Sequence, residues 1–156
     1  MTRGMDELVV RSMAKWPDVP DVYGWLSLDR RGNWLIRNER IGNLAMREFI
    51  SRNYQADARG CWYFQNGPQR VFVQLAYTPL VVHLEGDALV DHCGRPFAPA
   101  QAYLDDEGSL LILGNSGIAL LDDRDLARYA DRAEGLPRFA RRAVPERFGF
   151  VEIPAP

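Results

Sequence analysis

Hydrophobic and polar positions alternate with two periods along this chain. Met5, Leu8, Val9, Met13 and Trp16 recur at helical spacing, with Asp6 and Glu7 where acids favour the first turn. A helix over 5–16 is predicted, ended by Pro17 and Pro20. Trp25-Leu26-Ser27-Leu28 and Trp34-Leu35-Ile36 then flank Asp29-Arg30-Arg31-Gly32, a hairpin with glycine where positive φ is needed. Ile41, Leu44, Ala45, Phe49 and Ile50 give a second helical stripe over 42–53. Cys61-Trp62-Tyr63-Phe64 and Val71-Phe72-Val73-Gln74-Leu75 flank an Asn66-Gly67 hairpin signal, and Pro68 predicts a loop longer than two residues. Short strands follow at 80–84, 88–91, 102–104, 110–113 and 118–121. Asp122 reads as the N-cap of a last helix, with Leu126, Tyr129 and Ala130 on its apolar face and Gly135 and Pro137 at its end. From Arg138 the chain is basic and extended, with strand-like alternation at Phe148, Phe150, Val151 and Ile153.

Connections this short leave no room for repeated parallel crossovers. The expectation is an α+β fold with mainly antiparallel sheet. Residues 1–78 form a helix-hairpin-helix α+β half, and 79–134 an antiparallel half closed by one helix. Residues 135–156 form a basic extended tail. The meander of the second half is similar to pleckstrin-homology barrels, an analogy of fold alone.

Composition narrows the function classes. The 156 residues are 47% hydrophobic and 26% charged, enough to bury a core. A net charge of −2 argues against a general nucleic-acid binder. Charge is uneven: +3 over 1–78, −7 over 79–134 and +2 over 135–156. Of 19 basic residues only Lys15 is lysine, so nothing can use a second one. No apolar run approaches the ~20 residues of a membrane span. Cys61 and Cys93 are too few for a disulfide framework. The N-terminal residues carry acids and no apolar leader core. A cytoplasmic protein with free thiols, off the membrane, is expected.

Several segments together resemble an uncharacterised bacterial family, a domain of unknown function built of two α+β halves. They are Gly32-Asn33-Trp34, Ile41 through Ile50, Gly60-Cys61-Trp62-Tyr63, Val71-Phe72-Val73, Pro79-Leu80-Val81-Val82, Leu110-Leu111-Ile112 and Gly114-Asn115-Ser116-Gly117. The resemblance spans residues 25–121. It implies two related halves, the later one pleckstrin-homology-like, a ligand site between them and a regulatory role. The family's Thr-Pro-x-Glu-Lys-like segment is replaced here by Gln65-Asn66-Gly67-Pro68-Gln69-Arg70, with no lysine, which points to a sister family.

Candidate chemistry concentrates in the first half. Arg52 and Tyr54 pair a planar donor fork with a stacking face, although a helix C-terminus with Asn53 as a left-handed cap explains the same residues. Gln65, Asn66 and Arg70 gather amides and a cation beside aromatic residues, as a flat polar ligand requires, although Asn-Gly is also ordinary turn chemistry. Arg37 adds a cation, and Trp34 and Trp62 supply apolar walls. His83, His92, Cys61 and Cys93 lack zinc-ligand spacing, and adjacent His92 and Cys93 would face opposite sides of a strand. No nucleophile, metal or paired-carboxylate motif is present, and no cofactor is implied. The reading is a non-catalytic cytoplasmic module that binds a small anionic or nucleotide-like ligand between the two α+β halves, with a regulatory role. The alternatives are a protein-interaction module or homodimer, and an enzyme of unknown reaction.

Overall fold

The computed structural model describes residues 6–16 and 18–156. Met5 and Pro17, at the ends of the expected first helix, lie outside the described residues. The chain forms two compact units. Of the described residues, the first comprises 6–16, 18–29, Asn33–Ala76 and Val151–Pro156, and the second Arg30–Gly32 and Tyr77–Phe150.

The first unit contains α1 (Glu7–Lys15), β1 (Val22–Leu28), β2 (Trp34–Ile36), β3 (Glu39–Arg40), α2 (Leu44–Arg52), β4 (Tyr54–Ala56), β5 (Trp62–Asn66) and β6 (Gln69–Leu75). Its sheet runs β3-β2-β1-β6-β5-β4. Two antiparallel meanders meet through a parallel β1–β6 pair, with Leu26 beside Val73 and Leu28 beside Leu75. The Asn43 side chain caps α2 by accepting from Met46 N–H at 2.9 Å. At the other end Asn53 has φ of −116°, so the expected left-handed cap is absent. The β5–β6 turn is only two residues, Gly67-Pro68, because Asn66 pairs with Gln69. Gly67 takes φ of +57°, and the fixed negative φ of Pro68 suits the next position, as in a type II′ turn.

The second unit contains β7 (Leu80–Glu85), β8 (Ala88–Asp91), β9 (Pro96–Phe97), β10 (Pro99–Asp105), β11 (Leu110–Gly114), β12 (Gly117–Leu121), α3 (Leu126–Tyr129), β13 (Arg138–Phe139) and α4 (Val144–Phe148). Its sheet runs β13-β10-β11-β12-β7-β8-β9, again two meanders meeting through a parallel pair, β7–β12, with β13 added parallel to β10 at one edge. Both sheets are therefore mixed, within an α+β fold that is mostly sheet. The β1–β6 and β7–β12 pairs are each closed across two meanders, while the connection to β13 runs through α3. The expected closing helix is broken: α3 lies between 3₁₀ turns Asp123–Asp125 and Ala130–Arg132. Where alternation at Phe148 suggested a strand, the chain forms α4, ended by Gly149 at φ of +72°.

One turn recurs four times. Asp29, Asp57, Asp91 and Asp105 each begin an Asp-x-x-Gly-x loop, and Gly32, Gly60, Gly94 and Gly108 take φ of 82–84°. In each, the carboxylate accepts the N–H four residues on, at 2.8 Å from Asn33, 3.0 Å from Cys61, 2.9 Å from Arg95 and 2.8 Å from Ser109. The side chain thus satisfies a donor that the turn leaves open. His92 and Cys93 lie in the Asp91 loop rather than on a strand. Asp105 is fully buried and also accepts from Tyr77 Oη at 2.8 Å. Burial and that carboxylate push the Tyr77 phenol well above its ordinary pKa.

Candidate functional site

α2 lies across one face of the first unit's sheet. Strand periodicity places Leu26, Phe64 and Val71 on that face, and α2 turns Met46, Phe49 and Ile50 toward it. Together they enclose a cavity of about 380 Å³, within the usual range for small-ligand sites. Its floor is apolar, with Leu26, Ile50 and Phe64 buried. Val22, Trp25, Ile36, Asn66 and Gln69 complete the lining.

The opening results from a distortion of β1. Register against β6 shifts between Val22 and Leu26, where Gly24 has φ of +78°. This bulge lets Trp25 and Leu26, adjacent in sequence, both reach the cavity. Trp25 remains 48% exposed. Arg37 lies above it, with the guanidinium carbon 4.2 Å from the ring centroid. Arg37 N–H also donates to Trp25 O at 3.0 Å. Arg37 and Asn38, with φ of +50° and +69°, form the two-residue turn from β2 to β3. The strand registers put Arg37, Asn66 and Gln69 at one end of the sheet, on either side of Trp25.

The remaining sequence candidates lie elsewhere. Trp34 is buried and its indole N–H donates to Ser51 Oγ at 3.0 Å. Tyr54 is buried between Trp34 and Trp62, with ring centroids 4.8 and 4.9 Å away. Arg52 is paired with the Asp6 carboxylate at 3.2 Å. Gln65 and Arg70 pair across β5–β6 on the opposite face of the sheet. There the Arg70 guanidinium stacks over Tyr63 at 4.6 Å, beside the buried Cys61–Tyr63–Phe72 cluster. Of the eight candidates, only Asn66 lines the cavity and Arg37 borders it. The missed residues Trp25 and Ile36 had one usable signal, glycine inside a strand, which marks a bulge.

The second unit has an open cleft of about 390 Å³, lined by Arg31, His83, His92, Asp122, Arg124 and Asp125 among others. Its charges are engaged internally. Arg31 pairs with Asp123 at 2.9 Å, and Arg124 pairs with Asp122. Asp125 accepts Leu84 N–H, and His92 Nδ1 accepts Val81 N–H. No group of three or more His, Cys, Asp or Glu side chains is arranged to hold a metal among the described residues. Burial first, and then Asp57, push the Cys61 thiol up, keeping it protonated at neutral pH.

Residues 5–155 match the sequence profile of the DUF2944 family, described as "Protein of unknown function (DUF2946)". The chain belongs to this family. The DUF2944 fold is similar to two solved structures of DUF1285 family proteins. The one from Silicibacter pomeroyi DSS-3 is 18% identical, with a TM-score of 0.52, covering 84% of this chain and 78% of that one. The one from Shewanella baltica OS155 is 13% identical, with a TM-score of 0.52, covering 68% of this chain and 90% of that one. At such identities the likeness is one of fold alone. No curated protein matches this DUF2944 chain significantly. No helix is long and apolar enough to cross a membrane among the described residues.

Proposed function

We propose that this protein is a non-catalytic module that holds a small molecule in the first unit, between α2 and the sheet. The carrying observation is the cavity itself, with an apolar floor, a polar mouth and a half-exposed Trp25. Natural ligand sites combine predominantly apolar walls with a few placed polar groups in this way. None of the lining side chains is titratable or nucleophilic at neutral pH, which favours binding over turnover. Binding without turnover is what a sensing or regulatory module needs. The anionic or nucleotide-like ligand expected from the sequence is narrowed to one with a substantial apolar or flat body.

Ile36→Trp places a larger ring in the mouth at a partly exposed edge position. A thermal-shift screen of nucleosides, aromatic acids and small amphiphiles should raise the melting temperature of the wild type, because ligand binding stabilises the folded state. The same compounds should fail on Ile36→Trp. Absence of any shift across the screen, or equal shifts in the variant, would reject the cavity as a binding site.

A further inference from the structure

Resting on that reading, we infer that the ligand is an amphipathic carboxylate, its apolar body under α2 and its headgroup held by the Arg37 guanidinium at the mouth.

Among the described residues, no carboxylate pairs with the exposed Arg37, whereas Arg52 and Arg31 are taken by Asp6 and Asp123. Contact with the Trp25 ring at 4.2 Å holds the guanidinium at the mouth without using its donors. An arginine so presented matches a carboxylate bidentately. The backbone gives a second indication. Arg37 takes φ of +50° at a turn position where Asn, Asp or Gly fits without strain. A side chain kept at a strained position beside a cavity suits a role in recognition. Among the described residues no cationic side chain lines the cavity and Arg37 borders it, so one carboxylate is balanced, while a phosphate monoester would leave charge over. Size sets the body. A cavity of about 380 Å³ is of small-ligand size, and a medium-chain carboxylate such as decanoate serves as the probe.

Calorimetric titration of the full chain with decanoate, decanamide and decyl phosphate tests this, at concentrations where each is monomeric. Decanoate should bind at least about 10-fold more tightly than decanamide, the usual worth of a charged hydrogen bond. Arg37→Asn should remove that preference. Its unliganded melting temperature should match or exceed that of the wild type, because asparagine suits the left-handed backbone. A merely structural arginine would instead lose stability and leave the decanoate–decanamide ratio unchanged. Equal binding of decanoate and decanamide would overturn the carboxylate and leave the cavity reading standing. Tighter binding of decyl phosphate would overturn it in favour of phosphate. If none of the three binds while other screened compounds do, the inference fails alone. If nothing in either experiment binds, the cavity reading fails with it.

Discussion

Two glycines with nearly the same backbone face opposite surroundings. Gly32 and Gly94 have φ of +84° and +82°, each at the fourth position of its Asp turn. A Cβ on Gly94 would meet nothing within 4 Å, whereas one on Gly32 would lie 2.6 Å from His92 Cβ. Gly94→Ala should cost about 1–2 kcal/mol, the penalty for a left-handed non-glycine residue. Gly32→Ala carries the same penalty plus an overlap that must move His92, whose ring accepts Val81 N–H at 3.2 Å. Urea denaturation should show Gly32→Ala about 1–3 kcal/mol less stable than Gly94→Ala, in the range of overpacked sites. Equal costs would mean that the Arg30–Gly32 loop does not hold its close approach to His92 in solution.

At the scale of elements, the four Asp turns carry the β1–β2, β4–β5, β8–β9 and β10–β11 hairpins, two in each sheet. Asp57 Oδ1 accepts N–H groups from Arg59 and Cys61 at 2.9 and 3.0 Å. Asp57→Ala strands the partly buried Cys61 donor and should cost about 1–3 kcal/mol, read as a lower urea midpoint. Asp57→Asn keeps an acceptor in place and should cost less. Most single elements were legible from pattern alone. The α2 stripe, the Asp29 hairpin and the strands around Leu80, Leu110 and Ile118 lie where periodicity put them. Partnership was not legible. β1 finds β6 and β7 finds β12 across whole meanders, and no local pattern records such pairing. The broken helix at Asp123–Arg132 has too few apolar positions to sustain a stripe. The candidate site divided along the same line. Trp34, Tyr54, Trp62 and Gln65 have ligand-binding chemistry in the sequence, but facing is decided by strand parity and by α2; Trp34, Tyr54 and Gln65 are buried and Trp62 is half-buried against Tyr54. Trp25 reads as core by pattern and is brought to the mouth by the Gly24 bulge.

For the molecule as a whole, acid sensitivity follows from paired carboxylates. Burial opposes ionisation of Asp57 and Asp122, yet backbone N–H groups and the arginines beside them hold both pKa values below the ordinary aspartate range. Asp123 is also lowered, first by its hydrogen bond to Arg31. A carboxylate whose pKa falls on folding contributes stability that is complete above its unfolded pKa of about 3.9 and is lost as pH falls through the lower folded value. The melting temperature should therefore hold steady near neutrality and drop below about pH 4, and Asp122→Asn should flatten that drop. A profile through pH 3 identical to the wild type's in this variant would show that the Arg124 pair adds nothing. The path of the chain carries one more consequence. Val151 packs against the Cys61–Tyr63–Phe72 cluster, and Glu152 O accepts from Leu75 N–H at 2.8 Å, so the first unit is closed by residues that follow the whole of the second. On the ribosome, the second unit has all its strands before the first receives its final contacts. A nascent chain released before Val151 emerges carries a first-unit sheet whose Cys61–Tyr63–Phe72 cluster lacks its Val151 cover, so the first unit completes its packing only after the second has been made.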